Sequence, residues 1–162
     1  MKAIVCVDEG WGIGYKNQLL YRNPVDMKFF KEKTIGNVVV MGLNTLKSFP
    51  GGNPLKDRVN IVLCNDPEFS QEGVTIADSI ESLFEILKRY DTNTVYIIGG
   101  ASVYAQLVPY CDTVYVTKVE GKKEADAFFP NLDEDENWVC AKQTETQEYN
   151  ELKFKFTTYK NI

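Results

Sequence analysis

Thr94-Val95-Tyr96-Ile97-Ile98-Gly99-Gly100-Ala101-Ser102-Val103-Tyr104 is the stretch on which the fold turns. Thr94 to Ile98 is a β-branched, apolar run, the mark of a strand buried on both faces of a parallel sheet. Two glycines end it, and Ser102 to Val108 then reads as a helix stopped by Pro109. Strand, glycine turn and helix in that order are half of a βαβ unit.

The same pattern recurs on either side. Upstream, Ala3 to Val7 is a buried strand followed by Gly10-Trp11-Gly12-Ile13-Gly14, and Pro24 opens a helix from Val25 to about Lys33. Asn37 to Met41 is a further strand that leads into a short helix, Gly42 to Ser48. Turn chemistry at Phe49-Pro50-Gly51-Gly52-Asn53-Pro54 precedes strands at Asn60 to Leu63 and Val74 to Ala77. Ser79 caps a helix running to Tyr90, with Ile80, Leu83, Phe84 and Leu87 along one face. Downstream, Thr113 to Val119 is a strand, and Trp138 to Thr146 with Leu152 to Tyr159 alternates like a hairpin turning near Asn150. The order predicts an α/β fold: a central, mostly parallel eight-stranded sheet, helices on both faces and an antiparallel C-terminal hairpin, in one domain spanning residues 1 to 162.

Composition narrows the function. The net charge of -5 speaks against nucleic acid as a partner, which normally selects a basic excess. No apolar stretch approaches the roughly 18 residues of a membrane span, and the apolar start soon meets Asp8 and Glu9, so a cytoplasmic protein is expected. Cys6, Cys64, Cys111 and Cys140 are scattered without metal or redox spacing and read as reduced and structural, so no metal is expected. The count of 0 histidines removes the Ser-His-Asp triad, the Cys-His dyad and the usual zinc sites together. Proton chemistry is left to carboxylates, Tyr, Lys, Cys or water.

Ligands of open α/β sheets lie beyond the carboxyl ends of strands, which singles out Gly10 to Gly14, Gly42 to Thr45 and Gly99 to Ser102. The Gly99-Gly100 pair would let amides approach a pyrophosphate, or simply make a tight turn; it is not the G-x-G-x-x-G fingerprint. Asp26, in a first helical turn beside Met27, Phe29 and Phe30, reads either as a charge complementing the helix dipole or as a carboxylate in an apolar cleft that binds an amidine-like edge. Arg58 is either an exposed loop charge or a bidentate partner for a carboxylate. Asp126 is a turn residue or a dock for the amides of a loop. The run Asp133-Glu134-Asp135-Glu136 reads as a solvated loop.

Taken in order, these segments resemble the dihydrofolate reductases of bacterial chromosomal type over nearly the whole chain. The pieces are Gly12-Ile13-Gly14-Tyr15-Lys16-Asn17, Asn23-Pro24-Val25-Asp26-Met27-Lys28-Phe29-Phe30-Lys31, Val40-Met41-Gly42 with Thr45, and Pro54 to Leu63 around Arg58. Ile97-Ile98-Gly99-Gly100 with Val103-Tyr104, Tyr115-Val116-Thr117, and Asp126 with Phe129-Pro130 complete the set.

The resemblance implies that fold and a reaction: hydride passes from NADPH to C6 of 7,8-dihydrofolate, and N5 takes a solvent proton. It makes Asp26 the group that holds the pterin's 2-amino and N3 edge with Thr117 and an ordered water. Tyr21 and Leu19 join Asp26 and Thr117 in the catalytic set, Leu19 as the tip of a lid from Gly10 to Tyr21 that Asp126 braces. Substrate contacts fall to Ile4, Val5 and Cys6, to Met27, Phe30 and Phe49, and to Ile98, with Arg58 on the glutamate tail. The cofactor falls to Cys6, Ile13, Gly14, Asn17 and Leu19, then to Gly42, Leu43, Asn44 and Thr45. Leu63, Cys64 and Asn65 follow, then Ile98 and the run Gly99, Gly100, Ala101, Ser102, Val103 and Tyr104, with a cis bond between the glycines. Antifolate binding, a monomeric state and no nucleic-acid or membrane partner complete the expectation.

Some positions depart from the common pattern. Tyr21 replaces a tryptophan, Leu20 a proline and Asn23 an apolar residue, changes expected to alter water order at Asp26 and weaken diaminopyrimidine antifolates. Leu43, Asn44, Cys64, Asn65 and Ser102 stand where the family meets the 2′-phosphate of NADPH with arginine and polar groups. Each lost guanidinium contact costs about 1 kcal/mol or more. NADPH is expected, with Lys47 compensating, and relaxed preference or NADH use is the variant reading. A pyrimidine reductase of riboflavin synthesis shares the fold but has no task for Asp26 with Phe30 and Arg58. A nucleotide-binding sensor would bind without turnover.

Overall fold

The computed structural model describes all of residues 1–162. The elements, in chain order, begin with β1 (Lys2–Val7), β2 (Gly12–Tyr15), β3 (Gln18–Leu19), α1 (Pro24–Thr34), β4 (Val38–Gly42) and α2 (Leu43–Ser48). They continue with β5 (Val59–Leu63), β6 (Val74–Ala77), α3 (Ile80–Leu87), β7 (Val95–Gly99), α4 (Ala101–Leu107) and β8 (Thr113–Val119). The last are β9 (Ala127–Phe128), β10 (Trp138–Gln143), β11 (Gln147–Tyr149) and β12 (Leu152–Asn161).

Eight strands lie in series, in the order β10-β12-β8-β1-β7-β4-β5-β6, with β11 as a short ninth strand on β12. β8, β1, β7, β4, β5 and β6 are mutually parallel, and β12 joins β8 antiparallel. Successive residues of the central strands face opposite layers. Ala3, Val5, Val40, Ile61 and Ile97 pack with Leu83 and Leu87 of α3 and Val103 and Leu107 of α4. Ile4, Val39, Met41, Val62 and Ile98 pack with Leu46 of α2, and Phe29 and Phe30 of α1 lie against them. Apolar residues on both faces of a strand require a helix layer on each side, so the continuous runs of the sequence already imply this sandwich.

Four details differ from the sequence reading. The Gly10 to Tyr21 segment is not all loop: β2 and β3 form a hairpin that pairs with β9 in a second, three-stranded sheet. Lys16 (φ 51°) and Asn17 (φ 65°) close it, the left-handed pair that a two-residue hairpin turn needs. The C-terminal hairpin is broken, with β10 and β11 both on β12 and the turn at Asn150-Glu151. Pro109 does not simply stop α4; it starts a single tighter turn, Val108–Tyr110, where its missing N–H is harmless. The acidic run is partly engaged as well: Asp133 accepts from Lys118 Nζ at 2.8 Å and Tyr159 Oη at 2.6 Å, which holds its carboxyl below the usual range.

Candidate active site

A cleft opens where β1 and β7 part. They pair only through Lys2↔Tyr96 and Ala3↔Ile97, whereas β1 stays on β8 as far as Val7↔Lys118. On the far side of β7 the register skips one residue, Val40↔Ile97 being followed by Met41↔Gly99. Ile4, Val5 and Cys6 therefore diverge from Ile98 and Gly99 at the carboxyl end of the sheet, the ligand position of open α/β folds. The Tyr104 hydroxyl, buried in α4, donates to the Ile4 carbonyl at 2.7 Å across this parting.

α1 supplies one wall. Asn23 caps it, its Oδ1 accepting from the N–H of Val25 at 3.1 Å and of Asp26 at 3.3 Å. The Asn23 Nδ2 is buried and has no protein partner. This cap sets Asp26 in the first turn, half-buried, with Oδ1 accepting from Thr117 Oγ1 of β8 at 2.5 Å. Burial raises the Asp26 carboxyl above its ordinary value, and the Thr117 and Cys6 donors pull it part of the way back. The Cys6 thiol is pushed well up, first by burial and then by Asp26, so it stays neutral.

Phe30 lies one turn below Asp26 on the same face, and Thr34 one turn below that. Arg58 Nη1 donates to Thr34 Oγ1 at 3.0 Å and its Nε to the Lys56 carbonyl at 2.9 Å. Neither ion pair of the chain involves Arg58, and its half-buried guanidinium stays charged although burial lowers its pKa. Helical rise puts Asp26 and Thr34, where Arg58 is held, roughly 12 Å apart along α1. Phe30 stands between them with Phe49 half-buried beside the same layer, and Met27 is left 56% exposed. Phe29 faces the sheet instead, stacked on Phe156 at 4.5 Å.

The β2–β3 hairpin follows from the carboxyl end of β1, the end at which the cleft opens. It carries Ile13, Gly14 and Asn17, and ends in Leu19, whose side is 80% exposed. Asp126 Oδ2 accepts from Lys16 N at 3.0 Å, and the Asp126 N–H returns a bond to the Gly14 carbonyl at 3.0 Å. Asp8, 3% exposed, ties down the other end. It accepts from the N–H groups of Gly10 (3.0 Å), Gly12 (3.1 Å) and Lys123 (2.9 Å) and from Tyr21 Oη at 3.1 Å. Tyr21 thus turns its hydroxyl to Asp8 and its pKa rises, through burial first and Asp8 second.

A third group of candidates lines the strand ends beyond β7. The Gly99-Gly100 bond is cis. A Cβ built on Gly99 would lie 3.4 Å from the Tyr104 ring and 3.5 Å from Thr45 Oγ1, in a backbone at φ +123° that side chains rarely adopt. The glycines thus leave room over the start of α4 (Ala101, Ser102, Val103) beside Thr45, a cradle that fits a pyrophosphate. Gly42, Leu43 and Asn44 continue this edge at β4, and Leu63, Cys64 and Asn65 at β5. Cys64 and Asn65 stand apart from Asp26, across two strands from β7. All four cysteines are free, and Cys140 is exposed rather than structural.

The sequence reading missed the part played by Asp8 and Lys123.

Comparison with known proteins points the same way as this geometry. Residues 1–161 match the family model for dihydrofolate reductase. The dihydrofolate reductase of Bacillus subtilis (strain 168) is 34% identical over 158 residues, 96% of this chain and 91% of that one. That of Staphylococcus haemolyticus is 33% identical over 164 residues, 100% of this chain and 96% of its own. Among solved structures, a dihydrofolate reductase from Enterococcus faecalis complexed with NADP(H) and RAB-propyl superposes with a TM-score of 0.87 at 34% identity, covering 99% of this chain and 95% of that one. With fold, cleft and sequence in agreement from end to end, the chain belongs to the dihydrofolate reductase family.

Proposed function

We propose that this chain reduces 7,8-dihydrofolate to tetrahydrofolate with NADPH as reductant, using Asp26 as the group that binds and polarises the pterin. The observation that carries it is the Asp26–Thr117 pair at the parting of β1 and β7, with the Arg58 guanidinium, in no ion pair, held at Thr34 two helical turns along the same face. A flat head with an amidine-like edge, an aromatic middle and a carboxylate tail matches that spacing, with Asp26 for the head, Phe30 and Met27 for the middle, and Arg58 for the tail.

When bound, the nicotinamide supplies the hydride that adds to pterin C6. Gly99, Gly100 and the start of α4 would hold the pyrophosphate, with Thr45 and Gly42 beside it. Asp26 accepts from the 2-amino and N3 edge, and its negative charge favours the proton that N5 takes from solvent. Thr117 holds the carboxylate in place, while the Ile4 and Ile98 carbonyls face the same edge. Leu19 and Ile13 on the β2–β3 hairpin exclude water over the reacting carbons, and the Asp126 brace keeps that lid down. The enzyme works as a cytoplasmic monomer and takes antifolates in the same cleft. No helix of the chain is long and apolar enough to cross a membrane.

The test follows loss of nicotinamide absorbance with 7,8-dihydrofolate, for the wild type and for Asp26→Asn. Rapid oxidation that falls at least about 100-fold at neutral pH in the variant is expected for a lost electrostatic group. Folded wild-type protein that oxidises neither NADPH nor NADH would end this reading.

A further inference from the structure

The strand ends continue past the glycine cradle in one row. Met41 of β4 pairs with Gly99, Gly42 with Leu63 of β5, and Leu63 with Ala77 of β6. These ends step away from β7 by about 4.8 Å each. With a pyrophosphate at Gly99-Gly100, the nicotinamide half must extend toward β1, where Asp26 and Thr117 hold the substrate. The adenosine half then runs the other way, past Leu43 and Asn44 to the ends of β5 and β6.

A cavity of about 410 Å³ closes that end of the row. Phe69 and Ile76 give it apolar surface for a flat base, and Asp66 and Asp78 are its only charged groups. Neither acid is in an ion pair. Asp66 Oδ1 accepts from Glu68 N at 2.9 Å, whereas the exposed Asp78 carboxylate has no hydrogen-bond partner in the chain. The one cation on α2 is Lys47, a full turn beyond Leu43. Just past α3, Lys88 is held by Glu85 at 2.7 Å, and Arg89 after it is not among the residues that line the cavity.

A ribose 2′-phosphate is a dianion and needs cationic or multiple N–H donors. Carboxylates repel it, yet accept well from the free 2′-hydroxyl of a ribose. We infer that this pocket recognises an unphosphorylated adenosine ribose, with Asp78 as the specificity-determining residue, so that the chain binds NADH about as tightly as NADPH. The inference rests on the dinucleotide reading above. It concerns selection between the two reductants, not whether NADPH can serve.

Equilibrium titration calorimetry of the full chain with NADPH, NADH, 2′,5′-ADP and 5′-AMP tests it without turnover. For the wild type, NADH is expected to bind no more than about threefold more weakly than NADPH, and 5′-AMP no more weakly than 2′,5′-ADP by the same margin. Asp78→Lys should tighten NADPH about tenfold, or 1.4 kcal/mol, and leave NADH within about twofold. Asp78→Asn should shift the ratio the same way by a smaller factor. A wild type that favours NADPH by more than about threefold, or an Asp78→Lys ratio equal to wild type, overturns the inference while leaving the proposed reaction standing. Binding of neither dinucleotide overturns both.

Discussion

Thr117 and Asp26 lie 91 residues apart in the chain, yet the Thr117 hydroxyl donates to Asp26 Oδ1 at 2.5 Å, from a central strand to the first turn of a helix. The pair joins two layers at the one place where β1 and β7 separate. Thr117 itself is 3% exposed, so its hydroxyl has little water to turn to.

That bond opposes the effect of burial on Asp26, and the balance sets a pH dependence. The folded-state pKa of Asp26 is raised above its unfolded value. The folded protein therefore binds the proton more tightly, and the group's contribution is most favourable at low pH and is lost as pH rises through the folded pKa. Asp26→Asn removes the buried charge, so it should melt higher than wild type at pH 7. The difference should vanish near pH 3, where both forms are neutral. Calorimetric melts across that range check the sign. Thr117→Val should raise the Asp26 pKa further and move the acid side of the activity profile upward.

Arg58 should act on binding rather than on chemistry. Its half-buried guanidinium is aimed by Thr34 Oγ1 and the Lys56 carbonyl, and it meets no carboxylate in the chain. Arg58→Leu should weaken dihydrofolate binding roughly 10- to 100-fold, the worth of a charge-assisted hydrogen bond at 1.5–3 kcal/mol. The single-turnover rate at saturating substrate should change little. A loss confined to that rate would contradict the assignment.

Asp8 is a stability prediction. Four donors converge on one buried carboxylate with no counter-ion, three of them backbone N–H groups of the loops it joins. Asp8→Asn replaces one acceptor by an N–H₂ that faces donors, so unfolding in urea should show a loss of about 3 kcal/mol. Tyr21→Phe removes one neutral donor and should cost about 1 kcal/mol.

The Asp126 brace separates closure from stability. Its bond to Lys16 N is exposed, so Asp126→Ala should alter unfolding by no more than about 0.5 kcal/mol. If the bond is made only with the lid down, its loss should slow hydride transfer about tenfold in single-turnover measurements. An unchanged rate would show that the hairpin stays closed without it.

The local grammar of the chain was legible from residues alone. Continuous apolar runs such as Val38 to Met41 and Val95 to Ile98 read as strands covered on both faces, and Ser79 sits where a helix start needs a cap, whereas the Asn23 cap came only with the structure. Asp26 and Gly99-Gly100 were visible as candidates because their types and neighbours are unusual at strand and helix ends. Pairing could not be read in the same way. No spacing rule brings Thr117 to Asp26, Arg58 to Thr34, or Asp8 to Lys123, because each contact joins segments far apart in sequence and depends on strand order. The hairpin within Gly10 to Tyr21 was hidden as well, since its partner β9 lies beyond residue 120 and its left-handed turn uses Lys16 in place of glycine. Sequence determined which segments are strands and helices, since periodicity and capping act within a few residues. The tertiary structure alone decided which strand ends part, which carboxylate is desolvated and which acid closes the far pocket, since burial and charge proximity exist only once the layers have packed.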